Sequence, residues 1–335
     1  MNKNVVLSGV QPTGDLHLGN YLGAIKNFAV MQNENDSLFC VVDLHAITVF
    51  QDPKELRNNT YEVIAAYLAC GINHQKSTIF NQSQVSGHAE LAWILNCICR
   101  MGWLNRMTQF KEKSGKNSEN VSSGLFTYPT LMAADILLYK ATHVPVGSDQ
   151  KQHLELTRDI AQKFNNDYNS PNFFPLPEPF IEKEISRVMS LRDGNSKMSK
   201  SDVSEYSRIN LKDDADTILK KIKKSKTADT NMPASMEEIN LMPEVNNLLN
   251  IFSGVTDKTK NELIMYYEGQ NFSNFKKDLS DALIEKITPI GNEIKKLMSD
   301  RDNLNQIMAE GVAKARIKSE IVLNEIYDIV GFVKQ

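Results

Sequence analysis

Val5-Val6-Leu7, running into Ser8-Gly9-Val10-Gln11-Pro12-Thr13-Gly14-Asp15-Leu16-His17-Leu18-Gly19-Asn20-Tyr21-Leu22-Gly23-Ala24, is the stretch on which the fold turns. Val5-Val6-Leu7 is an apolar run of the kind buried in a parallel sheet. Gly9, Pro12 and Gly14 interrupt regular structure and predict a tight turn. After Asn20, the apolar residues Leu22, Ile25 and Phe28 recur at helical spacing. A strand, a glycine-bearing turn and a helix start make a unit suited to phosphate, because a helix N-terminus offers unpaired N–H groups and partial positive charge. Gly19 lets a flat ring or a phosphate approach the backbone. His17 and Asn20 are expected to add side-chain donors at the same helix mouth. Taken alone, the unit is equally compatible with a structural turn that His17 caps.

The pattern repeats outward. Residues 37–43 read as a second buried strand, closed by Asp43-Leu44-His45 at the end where parallel sheets hold ligands. His45 is there either a substrate contact or a satisfied structural histidine. Asp52-Pro53 is a helix start, with Asp as N-cap and Pro in the first turn, and predicts a helix over 53–70. A third strand is expected at 77–81, a helix at 88–99, a strand at 142–146 and a long helix to about Asn165. This alternation predicts an α/β fold with a doubly wound parallel sheet. Residues 102–124 form a polar, lysine-rich insertion. Pro171, Pro175, Pro177 and Pro179 mark an irregular connection, and Ser186–Leu191 reads as a short strand. From about Glu205 strand signals vanish and helical patterns continue to the end.

Composition bounds the answer. The 335 residues are 41% apolar and 24% charged, as in ordinary globular proteins, with room for two domains. The net charge of −3 confines any nucleic-acid contact to local patches, of which Lys220, Lys221, Lys223, Lys224 and Lys226 are one candidate; a solvated helix face is the alternative. No run is long and apolar enough to span a membrane and there is no leader, so no membrane partner is expected. Cys40, Cys70, Cys97 and Cys99 form no C-x-x-C pair and read as thiols of a reducing cytoplasm.

Three further stretches carry chemistry. In the helix predicted over 128–140, with Thr127 as cap and Pro129 in its first turn, Tyr128, Met132, Asp135 and Tyr139 share one face. Asp135 is a lone carboxylate among apolar neighbours, and burying it requires a donor from elsewhere in the fold or from a ligand. Gly147-Ser148-Asp149-Gln150 follows a strand and opens a helix; Asp149 can accept from a ribose diol or act as an N-cap. Lys197-Met198-Ser199-Lys200-Ser201 puts two cations on a loop, 193–202, whose Gly194, Asn195 and serines predict flexibility.

His17-Leu18-Gly19-Asn20 and Lys197-Met198-Ser199-Lys200-Ser201 together resemble the two signatures of the class I aminoacyl-tRNA synthetases. The first departs from the usual His-x-Gly-His at Asn20; the second matches in full. Gly147 to Asp159 is similar to the tryptophan branch of that family in its bacterial form, with Ser148 where an acidic residue is usual. The resemblance covers nearly the whole chain. It implies a Rossmann-like catalytic domain over 1–204, including the insertion at about 102–124 and the lysine loop 193–202, and an α-helical tRNA anticodon-binding domain over 205–335. The implied activity is ATP-dependent attachment of L-tryptophan to tRNA(Trp) through tryptophanyl-adenylate, releasing AMP and pyrophosphate, by a cytoplasmic homodimer with no DNA partner. His17, Lys197 and Lys200 would be catalytic. Gln11, Pro12, Thr13, Gly19, Asn20, Gly147, Ser148, Asp149, Val188, Met198, Ser199 and Ser201 would join the two lysines around ATP. Tyr128, Met132, Asp135 and Gln150 would hold tryptophan, with Asp135 on the indole N–H. Magnesium would ride on the phosphates rather than in a protein metal site, and Lys111 or Lys113 would reach a phosphate. Two competing readings remain: the tyrosine branch, which shares fold and signatures, and a non-catalytic nucleotide- or RNA-binding relative.

Overall fold

A computed structural model describes residues 3–108, 110, 121–147, 150–180, 187–200, 202–256 and 258–333. Five parallel strands form one sheet: β1 (Val5–Val10), β2 (Asp36–Val41), β3 (Thr78–Asn81), β4 (His143–Val144) and β5 (Glu178–Pro179), in the order β3-β2-β1-β4-β5. Strand order reverses between β1 and β4, and ligands of open parallel sheets bind beyond the strand C-termini at such a switch point. β1 and β2 pair in full register from Val5↔Asp36 to Val10↔Val41. Val6, Leu38, Phe39, Cys40 and Val41 have no exposed surface, as expected of strands covered on both faces.

Several expectations shift. The first helix begins at Leu18 rather than after Asn20, and continues as a π-helix over Tyr21–Ile25 before resuming as α-helix over Lys26–Met31. The helix expected at 128–140 spans Ser123–Leu137; Ser122, not Thr127, caps it, accepting from Leu125 N at 3.3 Å. Thr127 instead turns its hydroxyl to the Ser123 carbonyl at 3.1 Å, which places it inside the helix, with Pro129 deeper still. The proline-rich connection ends in β5, where Pro179 is tolerated because an edge strand has no further neighbour to serve. No strand forms at Ser186–Leu191 within its described part; Met189 makes a single antiparallel bridge to Lys197.

Beyond residue 205 the described structure is helical. The helix Phe272–Ser299 packs on Pro53–Ala69 and on Ala215–Lys223. The helix Arg301–Val330 returns to the sheet and lies along β3. Its approach is so close that a Cβ on Gly311 would sit 1.7 Å from the Ile79 carbonyl oxygen, so only glycine fits. Lys318 Nζ bonds Asp36 at 2.6 Å and Arg316 bonds the Gln84 carbonyl at 2.8 Å from the same helix.

Candidate active site

The C-terminal ends of β1 and β2 and the start of the first helix converge on one mouth. His17 is 4% exposed and serves as N-cap: its Nδ1 accepts from Gly19 N at 3.1 Å. Asn20 Oδ1 in turn accepts from His17 N at 3.1 Å, completing a capping box. Both bonds use side-chain acceptors and occupy backbone N–H groups, so it is the expectation of unpaired helix-mouth amides that is corrected. Leu18 N bonds the Ile209 carbonyl at 2.8 Å, Asn20 N bonds the His17 carbonyl at 2.8 Å, and Thr13 N bonds the Gln11 carbonyl at 2.9 Å. The helix-mouth amides are therefore largely engaged within the protein. What His17 can offer a ligand is Nε2–H, because the ring nitrogen that accepts from Gly19 cannot also carry the proton. Burial lowers the His17 pKa to about 4, helped by the nearby cations Lys200, Arg208 and Lys197, so the ring is neutral near pH 7. Gly19 is fixed by the same cap: a Cβ there would lie 3.0 Å from the imidazole.

The segment after the lysine loop straps this mouth. His17 bridges Asn210, and Leu211 N bonds the Leu16 carbonyl at 2.8 Å. Lys212 Nζ lies 2.8 Å from both Asp15, on the turn, and the buried Glu62.

The lysine loop is less free than its composition predicts. Gly194 is buried with no room for a side chain; a Cβ would lie 2.3 Å from the Pro243 carbonyl carbon. Asp193 accepts from Asn195 N at 3.0 Å and from the Ser196 hydroxyl at 2.5 Å. Met198 N bonds the Val188 carbonyl at 3.1 Å, and Asn247 clasps Met189 through N and O at 2.8 and 2.9 Å. The stem is thus pinned up to Met198, which is buried. Lys197 is exposed, whereas Lys200 donates to the Gly14 carbonyl at 3.2 Å. Gly14 has φ +65°, a left-handed conformation suited to glycine. Burial lowers the Lys200 pKa to about 8, with Glu62 and Asp15 opposing the shift.

Asp135 differs most from its sequence reading. It is 3% exposed, and three side chains that no local pattern connects to it converge there. Oδ1 accepts from Gln82 Nε2 at 2.7 Å and from His88 Nδ1 at 2.6 Å; Oδ2 accepts from His45 Nε2 at 2.8 Å. Burial would raise its pKa, but the hydrogen bonds from His45 and His88 win and hold it at about 2. His45 is therefore a carboxylate partner as well as a mouth residue, and it meets Tyr128 edge-on at 6.0 Å. Tyr128 OH bonds His153 Nε2 at 2.8 Å. Met132 and Gln150 are half-buried, and Val188 is buried beside the loop stem. Gln11 and Gly147 are exposed, Pro12 is buried, and Thr13 and Ser199 are half-buried. Ser148, Asp149, Ser201, Lys111 and Lys113 lie outside the described residues.

Gln82 and His88 are the site residues that sequence reasoning missed. Strand β3 ends just before Gln82 and His88 opens the helix Gly87–Ile98, so both come from the edge where ligands gather, which was the available signal.

A family model described as tRNA synthetases class I (W and Y) matches residues 1–287. A protein of Caulobacter vibrioides named Tryptophan--tRNA ligase is 56% identical over 98% of this chain and 95% of its own length. Two solved structures superpose closely. Tryptophanyl-tRNA synthetase from Mycoplasma pneumoniae has a TM-score of 0.84 at 33% identity, covering 99% of this chain and 98% of its own. The enzyme of the same name from Campylobacter jejuni, complexed with ADP and tryptophan, has a TM-score of 0.82 at 34% identity, covering 98% and 100%.

Proposed function

The chain belongs to the class I tRNA synthetases of the tryptophan and tyrosine branch, and from that membership we infer that it joins L-tryptophan to its cognate tRNA using ATP. A carboxylate oxygen of tryptophan attacks the α-phosphorus of ATP. The bond from that phosphorus to the bridging oxygen of pyrophosphate breaks, giving tryptophanyl-adenylate. The acyl group then passes to a terminal ribose hydroxyl of tRNA(Trp), and AMP leaves.

Such transfer depends on positioning and charge stabilisation more than on covalent help. We assign phosphate contacts to His17 Nε2–H, Lys197 and Lys200, and the adenosine end to Gln11, Pro12, Thr13, Gly19, Asn20 and the backbone at Val188. Gly147, Ser148 and Asp149 take the ribose, and Met198, Ser199 and Ser201 shape the loop around the triphosphate. The donors at this mouth suit phosphate oxygens rather than a cation, so magnesium would arrive on the triphosphate and take its ligands from phosphate and water. Residues 205–335 are assigned to tRNA, and a cytoplasmic homodimer is the assembly we expect. No described helix is long and apolar enough to cross a membrane.

Asp135 carries the choice of tryptophan over tyrosine. An ionised carboxylate accepts only, and the indole N–H donates only. With Tyr128, Met132 and Gln150 assigned to the same amino-acid site, Asp135 rewards a ring that presents its donor at that depth. The test is exchange of labelled pyrophosphate into ATP, driven by tryptophan, tyrosine or phenylalanine, in wild type and Asp135→Asn. Wild type should respond to tryptophan, and the variant should lose about 10²-fold in kcat/KM for it, the equivalent of about 2–3 kcal/mol. Full tryptophan activity in the variant removes Asp135 from this role, and a wild-type response to tyrosine overturns the substrate.

A further inference from the structure

We propose that His88 is a positioning residue for amino-acid selection: with Gln82 it fills Oδ1 of Asp135, and so leaves Oδ2 as the oxygen that meets the indole N–H. The inference rests on the reading of Asp135 as the indole acceptor and adds which oxygen acts and what aims it.

Each carboxylate oxygen has about two acceptor directions. Both directions of Oδ1 are taken, by Gln82 at 2.7 Å and His88 at 2.6 Å. Oδ2 receives only His45, at 2.8 Å, among the described residues. One acceptor direction therefore remains, and it is on Oδ2.

The two groups on Oδ1 are themselves held. Gln82 Oε1 accepts from Leu44 N at 3.1 Å, so its NH₂ end must face Asp135. His88 uses Nδ1 for the carboxylate while its Nε2 meets Tyr139 OH at 2.9 Å. An ionised carboxylate cannot donate, so Nδ1 carries the proton of that bond, and Nε2 is left to pair with the Tyr139 hydroxyl. Phe80 flanks the imidazole at 5.8 Å between centroids. Exposure shows the direction of approach. His88 and Gln82 are fully buried, whereas His45 is 6% and Tyr128 8% exposed. A ligand thus arrives on the His45–Tyr128 side and cannot touch His88, which acts only through Asp135.

The test compares tryptophan with its benzothiophene isostere, which keeps the shape and replaces the N–H by sulfur. The readout is the ratio of their kcat/KM values in pyrophosphate exchange, with KM for ATP as control. In His88→Ala the carboxylate loses its aim, so the ratio should fall about tenfold while KM for ATP holds; tenfold corresponds to about 1.4 kcal/mol. His88→Asn restores a donor near the Nδ1 position and should recover most of the ratio. Tyr139→Phe keeps the core shape, and should lower the ratio in the same direction by about threefold even if the alanine variant fails to fold. An unchanged ratio in Tyr139→Phe, together with an unchanged ratio in whichever His88 variants fold, overturns the proposal. Asp135→Asn separates the two ideas. If it collapses the ratio while the His88 and Tyr139 variants do not, only the positioning role fails; if it leaves the ratio unchanged, both fail.

Discussion

His17 works as a neutral imidazole, and the consequence is measurable. With a pKa near 4 against an ordinary 6.5, its neutral form is favoured by folding. The stability this contributes is complete above pH 6.5 and is lost as pH falls from 6.5 toward 4. Thermal unfolding of wild type should therefore weaken over that window more than that of His17→Asn, and adenylation should show no inflection near pH 6.5 from this group. Asp135 behaves likewise at lower pH: its stabilisation is present above its ordinary 3.8 and is lost as pH falls toward 2. Lys200 is the cation poised to change partners. Its pKa near 8 and its bond to the Gly14 carbonyl mean that it must leave a backbone oxygen to reach a phosphate. Lys200→Ala should slow adenylation by about 3–4 kcal/mol in barrier while weakening ATP binding much less. In wild type, kcat/KM for adenylation should decline above pH 8, where the lysine of the free protein deprotonates, and a flat profile would remove Lys200 from the phosphates. At this scale the sequence showed which residues carry charge, but not their partners. Asp135 looked unpaired because Gln82, His88 and His45 lie 53, 47 and 90 positions away in the chain.

Among the elements, those with one dominant local cause were legible. The helix Pro53–Ala69 was readable because Asp52 caps it, accepting from Lys54 N at 2.9 Å and Glu55 N at 3.1 Å. β1 and β2 were readable as apolar runs, and β3 as a short strand around Ile79 and Phe80. Three features were not. Ser122 outcompetes Thr127 as a cap because a helix start is decided by which hydroxyl faces the open turn. The π-helix Tyr21–Ile25 has no sequence signal of its own. Gly194 looked like a source of flexibility, yet it is a close-packing position, and only the tertiary partner Pro243 reveals which of the two it is. Gly311 makes the same point more strongly. A Cβ there would strike a backbone oxygen, which cannot rotate away as a side chain does. Gly311→Ala should destabilise the protein by about 3 kcal/mol, read as a shift in the denaturant midpoint at constant slope. An unshifted midpoint would mean that the helix Arg301–Val330 can slide along β3.

For the molecule as a whole, the lysines of residues 213–226 divide into two groups. Lys221 is 4% exposed and paired with Asp213 at 2.6 Å, so it is a structural ion pair rather than part of an RNA-facing patch. Lys226 reaches Glu244 at 2.7 Å and Lys224 lies over the Tyr206 ring at 4.2 Å. Lys220 and Lys223 are exposed. Replacing those two by Gln should reduce the slope of log affinity for tRNA against log salt by about 0.7–0.9 for each phosphate they neutralise. Lys221→Gln should lower stability and leave that slope alone. If the double variant leaves the slope unchanged, these lysines belong to solvent.

The helix laid along β3 also sets an order of events during synthesis. Arg316 and the Gln84 carbonyl it bonds are separated by 232 residues in the chain. A ribosome adding about 5–20 residues per second needs roughly 10–50 s to travel that distance. For that interval the outer edge of β3 stands uncovered, with backbone donors and acceptors that a neighbouring nascent chain on the same message could pair with. The residues that aim Asp135 begin where this strand ends. The newborn protein therefore closes the edge of β3 only after its final helix has emerged.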